Sequence, residues 1–248
     1  MFDTDILACS FPKCGTTWLW RIVNCLVHMT EDGTITATHN TEMQVYPEWL
    51  PLEPEAEPHP LFGHESFRDF LARKGRRIFA SHSPPWMLPH AVKSSGCKVI
   101  YIMRNPKDAA VSYANMGGLP PDGWDGSFER FIDPQCPHPG GSYFTYFKEM
   151  EEWLTKEIPR EKSHVMYFED VKRDQQSEVT RLAHFLDIQV SERKMKKIME
   201  HTSFESMKGT KAGFLLRKGD VGEWKDWFSD SQNNRMDEAI TERLRGSE

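Results

Sequence analysis

The apolar run Asp5-Ile6-Leu7-Ala8-Cys9-Ser10-Phe11 stops at Pro12 and a glycine-containing turn, and from Thr16 to Met29 the apolar spacing becomes helical. The chain thus opens as strand, loop, helix. From Thr30 to Pro60 the prolines at 47, 51, 54, 58 and 60 block any long helix, so this stretch reads as irregular, functional loop. Ser66 to Gly75 predicts a short helix with Phe67, Phe70 and Leu71 on one face, and Arg77 to Ala80 a second strand ending at Ser81-His82. The clearest strand is Cys97-Lys98-Val99-Ile100-Tyr101-Ile102-Met103, which stops at Arg104-Asn105-Pro106 with a helix starting near Lys107. After a Gly/Pro-rich interval from Gly117 to Gly141, a helix carrying Tyr143, Phe147 and Trp153 leads into a fourth strand, His164 to Phe168, and then into amphipathic helices through Met199. Strands alternate with helices, which predicts one α/β domain over residues 1–248: a central parallel β-sheet with helices on both faces. Such sheets bind ligands at the carboxyl ends of their strands, where Phe11, His82 and Arg104 fall.

Composition narrows the function classes. The chain has 248 residues, 38% apolar and 27% charged, with a formal net charge of -6. That is long enough to bury a full core without metal or disulfide help, and the acidic balance argues against a nonspecific nucleic-acid binder. The five cysteines (Cys9, Cys14, Cys25, Cys97, Cys136) never reach a C-x-x-C spacing, so no structural metal is expected and reduced thiols are. Lys13, Arg21 and Glu31 interrupt the most hydrophobic region, and the acidic start Met1-Phe2-Asp3-Thr4-Asp5 is unlike a secretory signal. The expectation is a cytoplasmic protein with no membrane segment.

Three segments have the composition of anion sites. In Pro12-Lys13-Cys14-Gly15-Thr16-Thr17-Trp18, Gly15 lets the backbone approach an oxyanion, the amides of Gly15, Thr16 and Thr17 open a helix toward it, and Lys13 adds an ammonium. The lysine precedes the glycine, so this P-loop-like segment is not a Walker A motif, and a plain threonine-capped turn accounts for it equally well. Arg104-Asn105-Pro106-Lys107-Asp108-Ala109-Ala110-Val111-Ser112 places an arginine at a strand end and a serine about two helical turns on. Leu216-Arg217-Lys218-Gly219-Asp220-Val221-Gly222-Glu223-Trp224-Lys225 joins two cations to glycines; alone, each segment also fits a solvated turn. His82, between a strand and Pro84-Pro85, is the general-base candidate, because an unperturbed imidazole titrates near ~6.5.

Together these segments resemble the cytosolic sulfotransferases, which use 3′-phosphoadenosine-5′-phosphosulfate (PAPS), over most of the chain. By that resemblance Ser10-Phe11-Pro12-Lys13-Cys14-Gly15-Thr16-Thr17-Trp18 is the 5′-phosphosulfate loop, with Lys13, Cys14, Gly15, Thr16 and Thr17 at the anion and Trp18 on the adenine. Arg104, Ser112, Leu216, Arg217, Lys218 and Gly219 would hold the 3′-phosphate side, and Phe168, Thr202 and Phe204 the base. Phe168 stands where the family usually has tyrosine. His82 corresponds to the catalytic base and Lys13 to the cation that neutralises the leaving oxygen, which implies in-line sulfuryl transfer to a hydroxyl or amine of a small hydrophobic acceptor, without metal, leaving 3′,5′-ADP. Phe11, Trp49, Trp86 and Tyr143 are the acceptor-pocket aromatics by position, and each fits the core as well.

Some positions depart from the family pattern. Ala80-Ser81-His82 lacks the lysine the family commonly has two residues before the histidine, the chain begins close to the first strand, and the interval from Phe204 to Arg217 is short. A more open acceptor cavity and altered turnover are expected. Lys225, Ser229, Asp230 and Asn234 depart from the family's dimer motif, which leaves homodimer formation open. Cys14, in place of the usual serine at a helix start beside Lys13, is expected to favour thiolate, with an inert buried cysteine as the alternative. A PAPS- or 3′,5′-ADP-binding protein with weak transferase activity, and a nucleotide-dependent phosphotransferase, are the competing functions.

Overall fold

The computed structural model describes residues 2–36, 45–46, 67–73, 75–116, 118–133 and 142–245. At its centre strand β1 (Ile6–Cys9) pairs in parallel with β2 (Ile78–Ser81) on one side and β3 (Lys98–Met103) on the other. A further parallel strand, β4 (Ser163–Tyr167), lies outside β3, giving the order β2-β1-β3-β4. Every residue of β1 and β2 is buried, as a parallel sheet covered by helices on both faces requires. Helix α1 (Thr16–His28) follows β1, α2 (Phe67–Ala72) precedes β2, and α3 (Ala91–Ser94) precedes β3. Between β3 and β4 run α4 (Pro106–Ala114), α5 (Gly123–Ile132) and α6 (Tyr143–Lys156). After β4 come α7 (Phe168–Arg173), α8 (Gln175–Phe185), α9 (Glu192–His201), α10 (Phe204–Lys208) and α11 (Asp230–Arg243).

The strand register is what builds a site. Ile6 lies opposite both Ile78 and Lys98, and Cys9 opposite both Ser81 and Tyr101, so the chain leaves neighbouring strands at Ser10, His82 and Arg104 along one sheet edge. The opposite edge is tied by a buried ion pair: Arg77 Nε donates to Asp5 Oδ1 at 2.9 Å and its Nη2 lies 2.5 Å from Oδ2. Bidentate geometry of this kind fixes where β1 and β2 begin even where its net stabilisation is small.

Strand and helix ends differ from the sequence expectation by one to three residues, the most at the end of α2, which stops at Ala72. Phe11 leaves β1 because its ring turns into an aromatic cluster, 5.3 Å from Tyr143, 5.7 Å from Tyr146, 5.8 Å from Tyr113 and 6.0 Å from Phe131. Tertiary packing there overrides the apolar run. Helix α4 starts as its sequence dictates: the Asn105 side chain accepts from Lys107 N at 2.9 Å and Pro106 occupies the first turn. At α11 the Ser229 and Gln232 side chains form a reciprocal capping box.

Candidate active site

The loop from Ser10 to Gly15 crosses from β1 to α1 through two left-handed residues, Lys13 at φ 69° and Gly15 at φ 106°. Lysine in that region is strained, and strain of this kind concentrates at ligand-binding turns. Gly15 is also required by contact, since a Cβ there would come 2.9 Å from Phe168 Cδ2. The Ser10 and Thr16 hydroxyls hydrogen-bond to each other inside the turn, and α1 starts at Gly15 without a side-chain cap. The helix therefore presents its first-turn amides and the positive end of its dipole to the loop.

Three cations converge on this turn. Lys13 donates through Nζ to the carbonyl of Leu215 at 2.9 Å, and burial, then Arg104 and Arg217, lower its pKa. Arg104, buried at the end of β3, donates to the Lys13 carbonyl at 3.2 Å and the Asp220 carbonyl at 2.9 Å, with its guanidinium 4.4 Å from the Phe168 ring centre. Among the described residues neither Lys13 nor Arg104 has a carboxylate partner, and the Nε atoms of Arg104 and Arg217 are buried without a hydrogen-bond acceptor. Buried donors in this state favour an anion. Arg217 is held by Glu223 through both terminal nitrogens, and Lys218 Nζ lies 3.1 Å from the same carboxylate. Those partners hold Glu223 down to about 2.

Asp108 organises the C-terminal segment. Its buried carboxylate accepts from Gly222 N at 2.7 Å and Trp224 N at 3.0 Å, which draws residues 217–224 against the start of α4. Lys107 completes the joint, lying 2.6 Å from Asp237 and 4.4 Å from the Trp224 ring centre. Sequence reasoning assigned no role to Asp108 or Glu223, although both lie within the quoted segments. An acid beside a helix start and another after a glycine pair were the available signals.

Aromatic rings sit behind the anion turn. Trp18 meets Phe168 edge-on at 5.5 Å and donates through Nε1 to the Thr202 carbonyl at 2.9 Å. Thr202 is fully buried, and its hydroxyl bonds Ile198 O and Gln175 Nε2 at 2.7 and 2.6 Å, so it orients Trp18 through its backbone. The half-buried Phe204 ring packs on Gly219, where φ is 70° and a Cβ would come within 3.1 Å of the ring. Ser112 is buried on α4, Thr17 is partly exposed, and Leu216 follows the Lys13 anchor at Leu215.

Cys14 does not favour thiolate. It is buried, and desolvation pushes its thiol up to about 12, overriding the lowering effect of Arg104. The expectation of a reactive thiol is therefore corrected; Cys14 packs as a small apolar residue.

His82, partly buried, leaves β2 beside the same turn. Its Nδ1 lies 2.7 Å from the Ser10 carbonyl and its Nε2 3.0 Å from the Tyr46 hydroxyl. Tyr46 is a site residue that the sequence did not announce, because nothing local links it to a histidine 36 positions on. The suggested acceptor aromatics scatter. Phe11 and Tyr143 lie in the core cluster, with Tyr143 donating to the Arg104 carbonyl at 2.6 Å. Trp86 is 69% exposed and donates to Glu149 at 3.1 Å, and Trp49 lies outside the described residues.

A strand-to-helix anion turn, flanked by cations from two distant segments and a histidine from the adjacent strand, defines an enzyme of the group-transfer class with an anionic donor. The sulfotransferase domain model matches residues 3–248, and the chain belongs to that family. Human sulfotransferase 1C2 is 30% identical, the match covering 98% of this chain and 84% of the relative. The crystal structure of mouse sulfotransferase SULT7A1 complexed with PAP has a TM-score of 0.76 at 28% identity, covering 100% of this chain and 86% of that one. Retinol dehydratase, in a complex with retinol and PAP, shares the fold with a TM-score of 0.73 at 20% identity, covering 99% of this chain and 82% of its own. The chain is thus a sulfotransferase, as its three anion segments imply.

Proposed function

We propose that this chain moves the sulfuryl group of PAPS to a hydroxyl or amine of a small hydrophobic acceptor, with His82 as general base. The observation that carries the proposal is the partly buried cation cluster: Lys13 and Arg104 rest on carbonyls rather than carboxylates among the described residues, beside an uncapped helix start, with two buried guanidinium Nε donors unsatisfied. A phosphosulfate with a separate 3′-phosphate fits that donor set. When bound, PAPS supplies the sulfuryl group and a phosphate leaving group.

Lys13, Cys14, Gly15, Thr16 and Thr17 would hold the phosphosulfate, and Arg104, Ser112, Arg217, Lys218 and Gly219 the 3′-phosphate. Trp18, Phe168 and Phe204 would form the apolar wall for the base, with Thr202 holding Trp18. An anion on Lys13 offsets the burial and the two guanidiniums that depress its pKa, so the ammonium stays charged where charge accumulates on the leaving oxygen. His82 Nδ1 donates to the Ser10 carbonyl, which leaves Nε2 as the basic atom.

The whole chain would act as one domain in the cytoplasm, in keeping with the buried thiols of Cys14, Cys25 and Cys97. Calorimetric titration with 3′,5′-ADP, 5′-ADP, and ATP with Mg²⁺ tests the donor assignment. The expected result is a clear preference for 3′,5′-ADP. Tighter binding of ATP with Mg²⁺, with nothing gained from the 3′-phosphate, would replace it with a phosphotransferase.

A further inference from the structure

We infer that Tyr46 carries the acceptor's proton to His82, a role that rests on His82 being the base. A carbonyl oxygen only accepts, so the 2.7 Å contact between Ser10 O and Nδ1 places a proton on Nδ1. In the neutral ring Nε2 then holds the lone pair, and the Tyr46 hydroxyl 3.0 Å away donates to it. The nitrogen that must receive the acceptor's proton is therefore already engaged by a phenol. The two rings lie 5.0 Å apart at 35°, and Tyr46 is 5% exposed, so its position is fixed by packing.

The backbone of β2 sets this arrangement. Ala80 N donates to Val45 O at 2.7 Å, along the outer edge of the strand, and so delivers the next residue, Tyr46, onto His82. Ala80 is fully buried and stands two residues before the histidine, where the family resemblance leads one to expect lysine. Strand β2 thus offers an anchored phenol in place of an ammonium.

The transfer balances as follows. The acceptor O–H bond breaks and its proton passes to Tyr46 Oη while the Tyr46 proton passes to His82 Nε2. The acceptor oxygen uses its electron pair to bond sulfur as the bond from sulfur to the bridging phosphate oxygen breaks, that pair leaving with 3′,5′-ADP. His82 ends as imidazolium, donating from Nε2 to Tyr46, so the hydrogen bond reverses direction without movement of either heavy atom. Tyr46 need not become a phenolate at any stage, which a group with an ordinary pKa of about 10 would resist near neutral pH.

Tyr46→Phe keeps the ring and removes the hydroxyl. Its turnover, and that of wild type and His82→Ala, are measured with PAPS and the phenol from a hydroxyl panel that wild type sulfates fastest, in mixtures of H₂O and D₂O, with 3′,5′-ADP affinity alongside. A loss in kcat of about 10- to 100-fold, with KM and 3′,5′-ADP affinity unchanged, is expected for Tyr46→Phe. The wild-type rate should fall along a bowed, two-proton curve with deuterium fraction, and that of Tyr46→Phe along a straight line. A Tyr46→Phe enzyme at or above the wild-type rate, or a linear wild-type curve, would show that Tyr46 merely occupies Nε2. If Tyr46→Phe no longer binds 3′,5′-ADP, the wild-type curve alone decides. An inactive His82→Ala beside an unimpaired Tyr46→Phe overturns only the relay, whereas an active His82→Ala, or no turnover by wild type across the panel, overturns the base assignment beneath it.

Discussion

The two sides of the site are built by different means. On the donor side, Lys13, Arg104 and Arg217 come from segments far apart in sequence and are cross-tied: Lys13 rests on a backbone carbonyl of the C-terminal segment, Arg104 on carbonyls of Lys13 and of that same segment, and Arg217 on the neighbouring Glu223 carboxylate. On the acceptor side His82 is fixed by Ser10 O and by Tyr46, whose neighbour Val45 accepts a backbone hydrogen bond from Ala80 of β2. On the proposed assignment, donor binding would rest on preorganised charge, and acceptor chemistry on a short chain of hydrogen bonds. Removing a group from one side should leave the other standing.

The sharpest way to break that separation is His82→Ala. Loss of a positioned base should lower kcat about 10²- to 10⁴-fold while 3′,5′-ADP affinity in calorimetry stays unchanged. A matching loss of nucleotide affinity would mean that the two sides are one unit. Arg104→Ala probes the converse. Removing a charge-assisted contact worth about 1.5–3 kcal/mol should weaken 3′,5′-ADP binding roughly 10- to 100-fold. The 5′-ADP affinity should change less if Arg104 serves the 3′-phosphate. Asp108→Asn comes next, since it leaves one acceptor for the amides of Gly222 and Trp224 where the carboxylate supplied two. A fall of about 1–2 kcal/mol in unfolding free energy, with a few-fold loss of 3′,5′-ADP affinity, is the expected result in urea titration and calorimetry.

How much of this was legible in sequence follows the same division. Strand-forming runs such as Lys98–Met103, and the Asn105-Pro106 helix start, are local and could be read directly. So could the cationic segments, because anion binding by a turn depends on residue types at fixed short spacings. Tyr46 could not, since its pairing with a histidine 36 positions on exists only in the folded chain, where β2 lies beside Val45. Phe11 and Tyr143 illustrate the same limit: an aromatic just after a strand or at a helix start looks alike in sequence whether it lines a cavity or packs against other rings, as these two do. Cys14 was misread because a helix dipole is visible in sequence and complete desolvation is not.

The smallest expected effect concerns Glu223, which binds Arg217 and Lys218 and so sets how firmly the donor side is assembled before any nucleotide arrives. Its pKa falls to about 2, first through the hydrogen bond from Arg217 and then through Lys218, against the opposing cost of burial. A carboxylate lowered on folding binds protons more readily in the unfolded chain. Its contribution is therefore complete above the ordinary carboxylate pKa of about 4.3 and is lost as pH falls toward 2. Urea midpoints of wild type and Glu223→Gln, measured from pH 7 to pH 3, should lie furthest apart at pH 7 and converge as the acid titrates. Convergence confined to this window would show that the charged clamp stabilises the empty site. A constant difference between the two proteins would instead assign the effect to packing against Trp227, whose Nε1 lies 3.3 Å from the same carboxylate, and the donor side would then owe less to charge than its cation cluster suggests.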